Sequence, residues 1–317
     1  MSKVFAPGKL VLTGAYAVLE GAPAIVVATS RGAVADGARA ALTASPEVRA
    51  AIGDAPAPHV DASSLFVGSR KLGLGASAAI LVASLAVREI ERGADLGDAR
   101  VREQLFAQAR SAHASAQGGG SGVDVAASVF GGVLEYALGA AQPGGAAKRV
   151  ALPPGTALSV FACSTSARTA ELRGLVDRLA ETAPARHRER LDELGEIARD
   201  AATAVSRGDR GAFIDAVARA AGGLARLGAA ASAPIVPEGF EGLSAIAARE
   251  GAAFCVSGAG GGDVACFVGS APPSNAFLER ARALGLFVLD LKLDEKGVRD
   301  VSPSAATAAH VEAASTS

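Results

Sequence analysis

The stretch Lys71-Leu-Gly-Leu-Gly-Ala-Ser-Ala-Ala79 constrains the chain more than any other. It joins a glycine-rich turn directly to an apolar run from Ala76 to Val87 that ends at Arg88-Glu89. The run is too short for a bilayer, which takes about 20 residues, and apolar on nearly every side. It therefore predicts a helix over Ser77–Glu91 buried in a core. Glycines just ahead of such a helix let backbone approach a ligand, and the free N–H groups and positive dipole end attract phosphate. A glycine-rich helix start packed tightly on a sheet would read the same way.

Two familiar phosphate motifs do not account for the stretch. Gly73, Gly75 and Ala78 match the spacing of a dinucleotide fingerprint, but Gly68-Ser-Arg-Lys71 stands where its strand should be. A Walker A loop needs Lys and then Ser or Thr after its last glycine, and no stretch supplies that.

Three further segments carry chemistry. Ala6-Pro-Gly-Lys9 puts a lysine after a Pro-Gly turn and ahead of a strand, where a fixed ammonium would stabilise phosphoryl charge. Gln117-Gly-Gly-Gly-Ser-Gly-Val-Asp124 delivers a carboxylate ahead of apolar Val125–Phe130. Ser257-Gly-Ala-Gly-Gly-Gly-Asp263 is dense in glycine for a simple hairpin and could pass beside a phosphate. The plain alternatives are an exposed lysine, a flexible linker and a tight turn.

Composition narrows the function classes. The chain has 317 residues with 31 basic against 32 acidic side chains, so it lacks the positive field of a nucleic-acid binder. No secretory leader or membrane span is legible, and a cytoplasmic location is expected. Cys163, Cys255 and Cys266 are odd in number and widely spaced, which suits buried thiols better than disulfides or a zinc knuckle.

Periodicity predicts early strands at 9–13 and 23–29, a helix over Val101–Gln117, and a strand over Val133–Tyr136. A Gly/Pro-rich connection is expected over Ala140–Pro154, then a strand over Ala157–Cys163. Helices come next through Leu191–Val205 and Phe213–Leu227. Ala252–Val256 and Val264–Val268 read as a strand pair, with another strand at Phe287–Leu291 and a frayed tail over 301–317.

Three of the segments, in their order, resemble the signature motifs of the GHMP kinase superfamily: Ala6–Lys9, Gly73–Ala79 and Ser257–Asp263. The resemblance runs from about residue 4 to about residue 295. Gln117–Ala126 is similar to the Gly-Ser-Gly-x-Asp-Val-Ala segment of the phosphomevalonate kinase branch, as are Lys71 and Ser166-Ala-Arg-Thr169. It implies an α/β (α+β) fold of two domains, an N-terminal ribosomal-S5-type domain (1–155) and a C-terminal ferredoxin-like domain (156–300).

The implied reaction is ATP-dependent phosphorylation of 5-phosphomevalonate to 5-diphosphomevalonate, with Mg²⁺. Lys9 and Asp124 would be catalytic. Leu72, Gly73, Leu74, Gly75, Ala76, Ser77 and Ala78 would hold the nucleotide phosphates, with Ser77 also on the metal. Lys71, His113, Ser121, Gly122, Arg168, Gly258, Ala259 and Gly260 would bind the acceptor. The chain departs from the pattern at Ala15 and Ala76, where the family has a carboxylate and a hydroxyl. His113 stands in the region of a Glu that mevalonate kinases use as a metal ligand.

The expected partner is thus a small phosphorylated or hydroxylated molecule, with neither nucleic acid nor membrane. A homodimer is left open. The competing readings are mevalonate kinase or another small-alcohol kinase, a dinucleotide-dependent oxidoreductase using Gly73, Gly75 and Ala78, and a non-catalytic nucleotide sensor.

Overall fold

A computed structural model describes residues 2–139, 142–163 and 169–303. The chain opens with β1 (Lys3–Thr13) and β2 (Ala24–Ala40), then α1 (Pro46–Ile52), β3 (Pro58–Asp61) and a short hairpin of β4 (Phe66–Val67) and β5 (Arg70–Lys71). Next come α2 (Ala76–Glu91), α3 (Ala99–Gln117), α4 (Val123–Phe130), β6 (Val133–Gly139) and β7 (Gln142–Val150). The second half holds β8 (Ala157–Ala162), α5 (Thr169–Thr182), α6 (Pro184–Arg207), α7 (Arg210–Ala231) and α8 (Phe240–Arg249). It continues through β9 (Ala253–Val256), β10 (Val264–Gly269), α9 (Asn275–Ala283), β11 (Phe287–Leu289) and β12 (Arg299–Asp300).

Two sheets organise these elements among the described residues. The first runs β12-β1-β2-β6-β7, with β3 paired to β2, and the second runs β11-β8-β10-β9. β12 pairs with β1 at Phe5↔Arg299, so the end of the chain returns to the first sheet. Helices α2 and α4 lie on β1 and β2, and α6 and α7 pack together beside the second sheet. α2 buries Leu81, Val82, Ala83, Leu85, Ala86 and Val87, as its all-round apolar pattern requires. Among the described residues no helix is long and apolar enough to cross a membrane.

Two local expectations are corrected. Pro7-Gly8 lies inside continuous β1, and the register slips opposite it, between Pro7↔Gly32 and Gly8↔Thr29, so the extra residues Ser30 and Arg31 belong to β2. The strand continues on both sides because each half finds partners on β2, and the extra residues re-aim the side chains beyond the bulge. The connection expected over 140–154 contains β7, which pairs Val150, Arg149 and Lys148 with Val133, Leu134 and Glu135. Its proline and two glycines sit on an edge strand, where a missing donor and missing side chains are tolerated.

All three cysteines are free and buried, as expected. Burial pushes the Cys163 and Cys255 thiols up to about 12, which keeps them unreactive. The expected tail lies outside the described residues from 304 onward.

Candidate active site

Lys9 follows directly on Gly8, where β1 passes the irregularity in β2. Its backbone N–H donates to Leu74 O at 2.8 Å, and its Nζ donates to Gly73 O at 3.1 Å. The lysine is thereby threaded under the turn that starts α2. Gly8 makes the approach feasible, since a Cβ there would stand 2.6 Å from Leu74 O.

The turn requires glycine at two positions. Gly73 and Gly75 have φ of 69° and 77°, in the left-handed region. A Cβ on Gly75 would meet Lys9 Cγ at 2.9 Å and Asp124 Cβ at 3.5 Å, and one on Gly73 would meet Asp263 Cβ at 2.4 Å. The glycine run, the lysine and two carboxylates thus form one cluster. Burial holds the Lys9 ammonium below its ordinary pKa, opposed by the charges of Asp124 and Asp263.

A second set of contacts joins α2, α3 and α4. His113 Nε2 lies 3.1 Å from Ser77 Oγ and 3.5 Å from Asp124 Oδ2, with the ring buried. Gln117 Nε2 donates to Ser77 Oγ at 3.3 Å and to Glu47 Oε1 at 3.1 Å. His113 and Gln117 are four residues apart on α3, so they share the face that looks at α2. Glu47 is buried on α1, yet its carboxyl is held below the ordinary value. Desolvation opposes that shift, and hydrogen bonds from Gln117 and within its own turn outweigh it.

The third glycine run closes the cluster from the second half. A Cβ on Gly258 would lie 3.4 Å from Lys9 Nζ. Ala259 and Gly260 do other work in the same hairpin. Ala259 O accepts from Tyr16 Oη at 2.9 Å, and Gly260 packs so closely that a Cβ would stand 2.2 Å from Ile235 O.

The structure brings Lys9, Gly73, Gly75, Ser77, His113, Asp124 and Gly258 together. Leu72 and Leu74 are fully buried beneath the turn, and Ala76 and Ala78 are buried in the first turn of α2. Ser121 and Gly122 lead into α4, where Ser121 O accepts from Tyr136 Oη. Lys71 is exposed on β5, and Arg168 lies outside the described residues. Sequence reading gave no role to Asp263 or Glu47. Asp263 ends the third glycine motif, which was its visible signal, whereas nothing in the sequence near Glu47 tied it to Ser77.

The oxygen donors suit magnesium. Ser77 Oγ and the Asp124 carboxylate are hard ligands on either side of one imidazole, and among the described residues no cluster of three or more His, Cys, Asp or Glu forms a closed cage. Such a set fits a cation that arrives with phosphate oxygens and keeps part of its water.

No protein-family model matches the chain. Its sequence is similar to that of a phosphomevalonate kinase from Streptomyces sp. (strain CL190), 31% identical over 220 residues. That likeness takes in 63% of this chain and 58% of the relative. A structure of Streptococcus pneumoniae phosphomevalonate kinase with phosphomevalonate and AMPPNP superposes with a TM-score of 0.76 at 19% identity, over 92% of this chain and 100% of that one. A Lin0012 protein from Listeria innocua gives 0.80 at 20% identity, over 95% and 99%. L. major mevalonate kinase with R-mevalonate gives 0.68 at 19%, over 92% and 96%. The chain has the fold of the GHMP kinases, and its sequence is similar to phosphomevalonate kinase.

Proposed function

We propose that the protein transfers the γ-phosphoryl group of ATP to 5-phosphomevalonate, giving ADP and 5-diphosphomevalonate. The observation that carries this is the convergence of a buried lysine, a carboxylate and a glycine turn from β1, α4 and the start of α2. The proposed halves, 1–155 and 156–300, both contribute to it, the second through Gly258 and Asp263.

Phosphoryl transfer asks a protein to position reactants and neutralise charge. An acceptor phosphate oxygen attacks the γ-phosphorus in line, and the bond from that phosphorus to the bridging oxygen breaks, leaving ADP. The turn Leu72–Ser77 and the N-terminus of α2 bind the nucleotide phosphates. Lys9 Nζ, buried beside Asp124 and Asp263, offers a fixed positive charge to the transferring group. When bound, Mg²⁺ would supply further charge neutralisation, and Ser77 and Asp124 are the residues that would hold it. The phosphate acceptor, with a second pKa near 6, is already mostly ionised at neutral pH, so Asp124 serves orientation and charge balance.

A coupled ADP-release assay with Mg-ATP and a panel of mevalonate, 5-phosphomevalonate, homoserine and galactose tests the reading. Turnover should be confined to 5-phosphomevalonate. Activity on mevalonate alone would move the assignment to a small-alcohol kinase, and inactivity with all four would remove it.

A further inference from the structure

Besides His113 and Gln117, the face of α3 that looks toward α2 and α4 carries Arg110, one turn before His113. The Arg110 side chain lies against Gly122, where a Cβ would stand 2.8 Å from its Cγ and 3.2 Å from its Nε. From the other half of the molecule, Arg173 on α5 reaches the same loop. Its NH2 and NH1 lie 3.4 and 3.9 Å from where a Cβ on Gly119 would be. Asp177 meets the Nε edge of Arg173 at 3.8 Å, with both side chains well exposed.

The loop between the two arginines is built almost wholly of glycine with positive φ. Gly118, Gly119, Gly120 and Gly122 have φ of 68°, 114°, 145° and 78°. The Gly118 and Gly119 N–H groups close α3 by donating to Ala114 O, and the missing side chains at 118–120 let the two arginines approach the loop backbone. The same loop leads straight into Asp124, in the first turn of α4. An anion held there would be fixed in relation to the carboxylate and lysine of the phosphoryl-transfer cluster.

We propose that Arg110 and Arg173 are the specificity-determining residues of the acceptor subsite, selecting an acceptor that already carries a phosphate. The inference rests on the kinase reading above and deepens it. It names two cations that the motifs did not reveal, one from each half, so that the acceptor side is complete only when both halves meet over the Gly118–Gly122 loop. Arginine suits the task because its planar fork can pair with two phosphate oxygens at once.

The test compares wild type with Arg110→Met, Arg173→Met and Arg173→Lys, varying 5-phosphomevalonate and Mg-ATP separately and monitoring Tm. Each Met variant should raise KM for the phosphorylated acceptor about tenfold or more, as expected when a charge-assisted contact is lost. KM for Mg-ATP should stay near the wild-type value, and Arg173→Lys should recover part of the loss. An unchanged acceptor KM in both Met variants would overturn the inference while leaving the proposed reaction standing. A parallel rise in both KM values with a fall in Tm would assign the arginines a structural role and overturn it too. Wild-type turnover of unphosphorylated acceptors alone would move the assignment to a small-alcohol kinase and overturn the inference with the phosphomevalonate reading.

Discussion

Lys9 shows how much a single residue owes to its surroundings. Its lowered pKa means that, between that value and the ordinary 10.5, the unfolded chain binds a proton the folded chain does not. The stability contributed by this group therefore rises with pH through that window, while the ammonium that the proposed transfer requires is lost. kcat/KM for Mg-ATP should accordingly fall on an alkaline limb that begins below pH 10.5, and a pH-rate profile checks it. Lys9→Met should lower kcat by roughly 10²–10³-fold, the usual scale for a removed charge stabiliser, with the fold intact by circular dichroism. Asp124→Asn offers a sharper distinction. With 5-phosphomevalonate its defect should not ease as pH rises, because no acceptor proton has to leave; alkaline rescue would mean that Asp124 acts as a base.

At the level of elements, the start of α2 depends on two glycines that no other residue can replace. Gly75→Val would place a branched side chain at φ of 77° and against Lys9 Cγ. The strain is on the order of 1–3 kcal/mol, and Mg-ATP should no longer raise Tm even where the variant folds. α3 acts as the strut that registers α2 against α4, through His113 and Gln117. Glu47 extends that strut to α1. Its depressed pKa places its stabilising contribution above the ordinary carboxylate range, lost as pH falls through the folded value. Glu47→Gln should cost about 1 kcal/mol near neutral pH and less in acid, measured by urea unfolding across pH.

For the whole molecule, ligand binding at the proposed site should register as global stability. Mg-ATP at a hundredfold excess over its Kd should stabilise the protein by about 2.7 kcal/mol, seen as a raised Tm, and NAD should have no comparable effect. A shift with NAD and none with ATP would restore the oxidoreductase reading. Much of this architecture was legible in the chain itself. The apolar period of α2, the three- and four-residue spacing in α6 and the glycine runs are local properties, and local stereochemistry suffices to read them. The α2 boundary was off by one residue, and β9 and β10 fell where the short apolar runs predicted. Pro7-Gly8 read as a turn because its strand partners on β2 are more than twenty residues away in sequence, and β7 was missed because pairing with β6 outweighed its poor strand composition. The cluster itself divides in the same way. The residue types that meet phosphate are written in the motifs, whereas the contacts of Asp263 with the Gly73 turn, of Glu47 with Ser77 through Gln117, and of Arg110 and Arg173 with one loop join segments distant in the chain. Only the packing of two sheets and their helices brings those side chains together, because such contacts follow from tertiary geometry and leave no periodic trace in the sequence.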